Sequence, residues 1–209
     1  MSNRARLIEA AADLFYRRGY QATSVEDVLA ATGVARSNFY YHFASKLELA
    51  REVVGYWIAE YERNVVEPTL GDLSLSPAER LRRLFACAAG TQDCAAGHTG
   101  CPLGSLAVEL AQHEGEVQAA LSDYFRRLQE RLADTIAEGV ARREYQATRP
   151  SDAAQLALSV LEGALLLSRT HQSPNLVSSA GLAFVTLLQG HEGDSQHLPS
   201  QTDVKNSLS

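Results

Sequence analysis

The sequence is poor in the residues that mark special environments. Among 209 residues there are three cysteines, one tryptophan, one methionine and six prolines, and aromatic content is 7%. Cys87, Cys94 and Cys101 are too few and too clustered for the disulfide framework of a secreted scaffold. In a reducing compartment they would be thiols, metal ligands or sensors. No apolar run approaches the roughly 18 residues of a membrane span. Glu9 and Asp13 break the apolar pattern at the start, which suits no secretory signal, so a cytoplasmic protein is expected. Positive charge is also in short supply: 19 Lys and Arg face 25 Asp and Glu, a formal net charge of −6. That excludes a histone-like coat holding nucleic acid by charge alone. Neither an HExxH pair nor a Gly-rich phosphate loop occurs, and no cofactor is expected.

The charge that is present divides unevenly. Residues 1–47 carry six basic side chains (Arg4, Arg6, Arg17, Arg18, Arg36, Lys46) against four acidic ones. The remainder is strongly acidic. A mildly basic head on an acidic body suggests that only the head meets a polyanion.

Hydrophobic spacing predicts an all-α chain with no period-2 strand. Leu7, Ile8, Ala11, Leu14 and Phe15 line a first helix that Gly19 would stop in the left-handed conformation. Ser24-x-x-Asp27 reads as a capping box for a second helix burying Val25, Val28 and Leu29. After Gly33, residues Ala35–Phe43 make a short third helix. Ser45-x-x-Glu48 opens a fourth that runs through Leu49, Val53, Trp57 and Tyr61 toward Pro68. Ser76-Pro77-Ala78-Glu79 starts a fifth, because it combines a cap, a proline at the first helical position and a glutamate three residues after the cap. Further helices are predicted at Leu103–His113, Glu116–Arg143, Ser151–Arg169 and Pro174–Gln189, the last capped by Ser173. Three segments follow: a head over 1–47, a helical body over 48–190, and a polar, disordered tail over 191–209.

The segment Ser24–Lys46 carries the chemistry. Two short helices hinged at a residue without Cβ have helix-turn-helix spacing. Packing Val25, Val28, Leu29, Val34, Phe39 and Phe43 inward leaves Arg36, Ser37, Asn38, Tyr40, Tyr41 and His42 outside. A helix fits the major groove, where Arg reads guanine and Asn reads adenine. Tyr and His donors suit phosphate oxygens. The stretch GYQATSVEDVLAATGVARSNFYYHFASKLELA resembles the N-terminal signature of TetR-family transcriptional regulators, with Gly19-Tyr20, Thr23-Ser24, Gly33-Val34, Phe39-Tyr40, His42-Phe43 and Ser45-Lys46 in register. The resemblance implies a recognition helix over Ala35–Tyr41. Arg36, Ser37, Asn38 and Tyr41 would face bases, while Ser24, Tyr40, His42 and Lys46 would meet phosphates. Family members commonly carry a capping serine where this chain has Ala35, so that cap must be absent or come from elsewhere; Ser37 could cap a start shifted by two residues.

By the same resemblance the body would bind an effector and dimerise. Its last two helices are apolar around most of their circumference, through Leu156, Leu158, Val160, Leu161, Leu165, Leu166, Leu167, Leu182, Phe184, Val185, Leu187 and Leu188. Burying them against a second copy gives a twofold homodimer whose reading helices sit about 34 Å or somewhat more apart, suited to a near-palindromic double-stranded operator. Candidate walls of an effector pocket are Trp57, Tyr61, Phe85, Leu103, Leu106, Leu110, Tyr124, Phe125 and Leu128, with Glu109, His113, Glu162 and His171 as polar groups. Three readings of the cysteines stand side by side. Cys101 at a helix start could be a lowered-pKa thiol sensing oxidants or electrophiles, with Cys94 or Cys87 as resolving partner. Cys94, His98 and Cys101 could ligate a metal. The thiols could also be simple packing. The function expected is a sequence-specific DNA-binding regulator, a repressor released by a small-molecule or thiol-reactive signal, and not an enzyme. Competing classes are a cysteine-dependent enzyme and a structural helical adaptor.

Overall fold

A computed structural model describes residues 1–92, 100–110, 115–146 and 149–190. The described residues are helical with no strand, as the spacing predicts. The order is α1 (Asn3–Arg18), α2 (Val25–Thr32), α3 (Arg36–His42), α4 (Lys46–Tyr61), α5 (Pro77–Gly90), α6 (Pro102–Leu110), α7 (Glu116–Ala141), α8 (Pro150–His171) and α9 (Asn175–Gln189). None of these is long and apolar enough to cross a membrane. The tail over 191–209, and with it the expectation of disorder, lies outside the described residues.

Local signals account for most boundaries. Ser24 and Asp27 form the full capping box, with Ser24 Oγ accepting from Asp27 N–H at 3.1 Å and Asp27 Oδ2 accepting from Ser24 N–H at 2.7 Å. Ser76 caps α5 ahead of Pro77. Gly33 sits at φ 66°, ψ 14°, where only a residue without Cβ turns at no steric cost, and its N–H closes on Leu29 O at 2.8 Å. Two expected details differ. Gly19 has a positive φ of 92° but an extended ψ of 157°, so the chain leaves α1 straight rather than curling left-handed. Ser173 does not cap α9: Pro174 is already helical and opens the helix, and the Ser173 carbonyl instead takes Leu176 N–H in a tight turn.

α4 does not end at Tyr61. It widens into a π-helical turn over Glu62–Val66, closed by Glu67 N–H on Glu62 O at 2.9 Å. Arg131 of α7 braces that turn, reaching Glu62 at 3.1 Å and Glu67 at 2.7 Å.

Two regions of core are continuous through α4. In the head, Leu7, Ala11 and Phe15 pack with Val28, Phe39 and Phe43 against Leu49, Ala50 and Val53, all at most 2% exposed. In the body, α5, α7, α8 and α9 bury Leu81, Leu84, Leu132, Ile136, Ala154, Leu165 and Val185. α9 lies mainly on α5 and α8, and α8 on α7. Burying this much apolar surface supplies most of the stability, at about 25 cal/mol per Å².

Candidate DNA interface and effector clefts

The reading surface is α3 and its flanks. Ala35 occupies the N-cap of α3 without a side-chain bond, and α3 begins at Arg36, so Ser37 lies inside the helix rather than capping it. Phe39 plugs the head core between α1 and α4, fully buried, and this fixes which face α3 turns outward. Tyr41 is 81% exposed and Tyr40 51% exposed, with Ser37 and Arg36 also outside. The structure therefore brings Arg36, Ser37, Tyr40 and Tyr41 onto one open face. His42 is half-buried beside the Tyr41 ring.

Of the candidates, three are engaged by the protein itself and one is shielded. Arg36 pairs with Glu26 of α2, an exposed pair of small energetic value that a nucleic acid can displace. Asn38 is half-buried, and its Oδ1 is shielded from solvent without a hydrogen-bond partner among the described residues. Lys46 is tied back to the chain. Its Nζ donates to Tyr20 O at 2.9 Å and Thr23 O at 3.0 Å and sits 4.1 Å from the Tyr20 ring centroid. Desolvation there lowers its pKa, opposed by the Glu109 carboxylate. Lys46 is a brace between α4 and the α1–α2 turn. The Ser24 hydroxyl is likewise committed to the capping box.

Sequence reasoning missed the joints between head and body. Glu109 Oε2 of α6 accepts from Gln21 N–H at 2.8 Å, in the turn after α1. The same carboxylate would touch a Cβ at Gly19, so the glycine leaves room for it. Tyr16 OH of α1 donates to Gly100 O at 2.8 Å in the buried approach to α6. Within the head, Arg6 donates to Thr32 O at the end of α2. These contacts join residues far apart in sequence, so no local pattern announces them.

The effector-wall candidates divide among several cavities. Trp57 and Tyr61 line a cleft of about 260 Å³ with Tyr16, Tyr56 and Pro102, between α1 and α4. Leu110 and Phe125 line a groove of about 210 Å³ between α6 and α7. Cys101, Glu109, Glu162 and Arg169 line a cleft of about 400 Å³ between α6 and α8. A void of about 10 Å³, room for roughly one water, joins Tyr61, Tyr124, Cys101 and Glu162. Tyr61 thus belongs to the first cleft and the void, and Glu162 and Cys101 to the void and the large cleft. Phe85 and Leu106 border none of these cavities. Phe85 is core, stacked near Phe184 and pressed against Gly181, and Leu106 is buried.

Burial governs the chemistry around the void. Tyr124 is 1% exposed and its hydroxyl has no partner among the described residues. Desolvation raises the pKa of Tyr61 and of Tyr124. Glu162 is pushed up to about 7 by desolvation, partly offset by a hydrogen bond with Cys101. Cys101 is buried, and desolvation and the Glu162 carboxyl drive its thiol well above the ordinary thiol range. Gly104 N–H on Sγ at 3.2 Å favours the thiolate but does not prevail. The helix start therefore gives no low-pKa thiol here; the expectation of an activated Cys101 is corrected by its burial. Cys87 is half-buried on α5. Cys94 and His98 lie outside the described residues, as does His113, and among the described residues no group of metal-ligating side chains occurs.

Residues 7–53 match the family model for bacterial regulatory proteins of the tetR family, and residues 77–181 match that for the C-terminal domain of LmrA/YxaF-like transcriptional regulators. The chain belongs to the TetR family. It is 32% identical over 136 residues to the transcriptional repressor DhaR of Mycobacterium sp. (strain GP1), covering 65% of this chain and 66% of that protein. The regulatory protein TetR from Rhodobacter sphaeroides superposes with a TM-score of 0.79 at 25% identity, covering 87% of this chain and 96% of that one. AibR, solved with isovaleryl coenzyme A and operator DNA, shares the fold at a TM-score of 0.70 and 19% identity, over 90% and 98% of the two chains. This TetR-family chain is accordingly a helix-turn-helix DNA-binding transcriptional regulator.

Proposed function

We propose that this TetR-family protein is a dimeric repressor that leaves its operator when a small molecule occupies the body. The observation that carries the reading is α3, whose Ser37, Tyr40 and Tyr41 stand outward on a head that Glu109 and Tyr16 tie directly to the cavity-bearing body. Tyr41 and Ser37 face bases, Tyr40 and His42 take phosphates, and Arg36 exchanges Glu26 for a guanine edge. Lys46 supports the reading head rather than touching DNA.

Two copies related by a twofold axis through α8 and α9 would place two such helices on one face of a near-palindromic duplex. Exposed leucines on those helices support that arrangement: Leu156, Leu166 and Leu167 on α8, Leu182 and Leu187 on α9, each at least 48% exposed. The head comprises residues 1–47 and the effector-binding and dimerising body residues 48–190, in a cytoplasmic protein. Ligand-induced displacement of α6 would pull Glu109 from Gln21 and change the angle of the head. Coupling then equals the difference in ligand affinity between the two arrangements. A small-molecule signal fits the cavities, whereas a thiol-reactive signal would first have to reach a buried Cys101.

The test is selection of bound duplexes from a random pool, followed by titration of the winner. A palindromic motif bound by a dimer is expected. Tyr41→Ala should lower affinity by about 1–3 kcal/mol and relax the choice of base at one position in each half-site. A folded protein that enriches no sequence from the pool would overturn the reading.

A further inference from the structure

We propose that the cleft between α6 and α8 binds an organic cation whose charge rests against the Glu162 carboxylate. The inference builds on the effector-released repressor and adds the chemistry of the effector. Glu162 projects from the middle of α8 into the floor of the cleft, where it meets Cys101 and the open backbone of Gly104. A Cβ at Gly104 would lie 2.7 Å from Glu162 Oε2, so the glycine makes the space this carboxylate occupies. Among the described residues Glu162 forms no ion pair, although sixteen such pairs occur elsewhere. Its polar partner among the described residues is the Cys101 thiol.

A carboxyl drawn out of water beside a cavity, with no cation of the described residues paired to it, is an unfavourable arrangement unless something else neutralises it. A cation entering the cleft does so. The charged groups on the cleft wall are two carboxylates and one guanidinium. Glu109 adds a second carboxylate from α6. Arg169, about 10 Å along α8 from Glu162, is already held by Ser105 Oγ at 3.3 Å and by packing over Gly100. Leu166 and Val108 give the cleft an apolar rim, so the ligand is a cation with hydrocarbon attached. A volume of about 400 Å³ accommodates roughly a dozen non-hydrogen atoms at protein packing density.

Ionisation gives the proposal a second signature. The ligand needs the carboxylate, and burial holds the Glu162 carboxyl near 7. The groups facing it do not titrate in the same window: burial moves Cys101, Tyr61 and Tyr124 upward. A permanently charged ligand should therefore bind about tenfold more tightly at pH 8 than at pH 6, and binding should release a proton.

The probes are benzyltrimethylammonium and its neutral carbon isostere, neopentylbenzene. Calorimetry on the full-length protein should show the cation binding at least about tenfold more tightly than the isostere at pH 8. That preference should disappear at pH 5 and in Glu162→Gln, with the helical circular dichroism of the variant checked first. If that variant fails to fold, the pH dependence of the wild-type chain decides alone. Equal binding of the two probes, no binding of either, or a cation affinity flat from pH 6 to pH 8 would overturn the proposal. Gel shifts on the selected duplex, run in parallel, separate it from the repressor reading. Duplex binding without cation binding sinks only the cation. Cation binding that leaves the duplex complex intact supports the site and counts against release by its occupant.

Discussion

Lys46 Nζ donates to two backbone carbonyls at once, and removing the amine takes the donor from Thr23 O and leaves Tyr20 O with the Thr23 N–H alone, at 3.3 Å. Lys46→Met, which keeps the aliphatic stem, should cost about 1–3 kcal/mol of stability and lower the thermal midpoint by several degrees. Its operator affinity, measured where the variant is folded, should keep the wild-type salt dependence. A lysine that meets phosphate would instead supply about one unit of that slope, and its removal would flatten the dependence. Glu162 makes the opposite kind of prediction. Its carboxyl goes from an ordinary value of 4.5 to about 7 on folding. The folded state thus holds the proton more tightly, and the group becomes steadily destabilising as pH rises from about 4.5 to about 7. Ligand-free Glu162→Gln should melt with the wild-type chain near pH 4.5 and a few degrees above it at pH 8. Equal midpoints at both pH values would show that the carboxyl is not desolvated.

At the scale of elements, α9 is seated on α5 through a glycine. A Cβ on Gly181 would lie 2.3 Å from Phe85 Cβ and Cγ, and Phe85 is itself fixed by the core. Gly181→Ala should destabilise by about 1–3 kcal/mol through overpacking, despite alanine's better helix propensity. Chemical denaturation would show the sign: a gain in stability would mean that α9 does not dock as described. The same contrast explains which features are legible in the sequence. Ser24-x-x-Asp27, Gly33 and Ser76-Pro77 act within one turn of chain, so each announces its helix end. The outward set on α3 follows from placing Phe39 inward, again a local matter of period. Seating Lys46 on the α1–α2 turn, Glu109 on Gln21 and Phe85 on Gly181 depends on partners 23 to 96 positions away. No periodicity encodes them. Cys101 departs from expectation for the same reason: its place at a helix start is visible in the sequence, but not the layer of α4, α7 and α8 that buries it.

Among the described residues, α8 and α9 carry two apolar surfaces, of which one is used internally. Leu161, Leu165, Val177, Phe184 and Val185 face inward, while Leu166, Leu182 and Leu187 face out, each at least 58% exposed. Each leucine buried by a second copy would contribute about 1.5–3 kcal/mol, so Leu182→Glu should yield a folded monomer by light scattering and abolish tight operator binding. Retention of the dimer would place its interface elsewhere. The interior has a practical implication for anyone wishing to exchange parts between regulators of this kind. Leu49, Ala50 and Val53 complete the packing beneath α1 although they stand after residue 47. A hybrid spliced at that point would set a foreign helix under the reading unit, and its three small helices would lose their floor. Grafting should carry α4 along with them and make its seam near the π turn, where Arg131 of the recipient has to find Glu62 and Glu67 again.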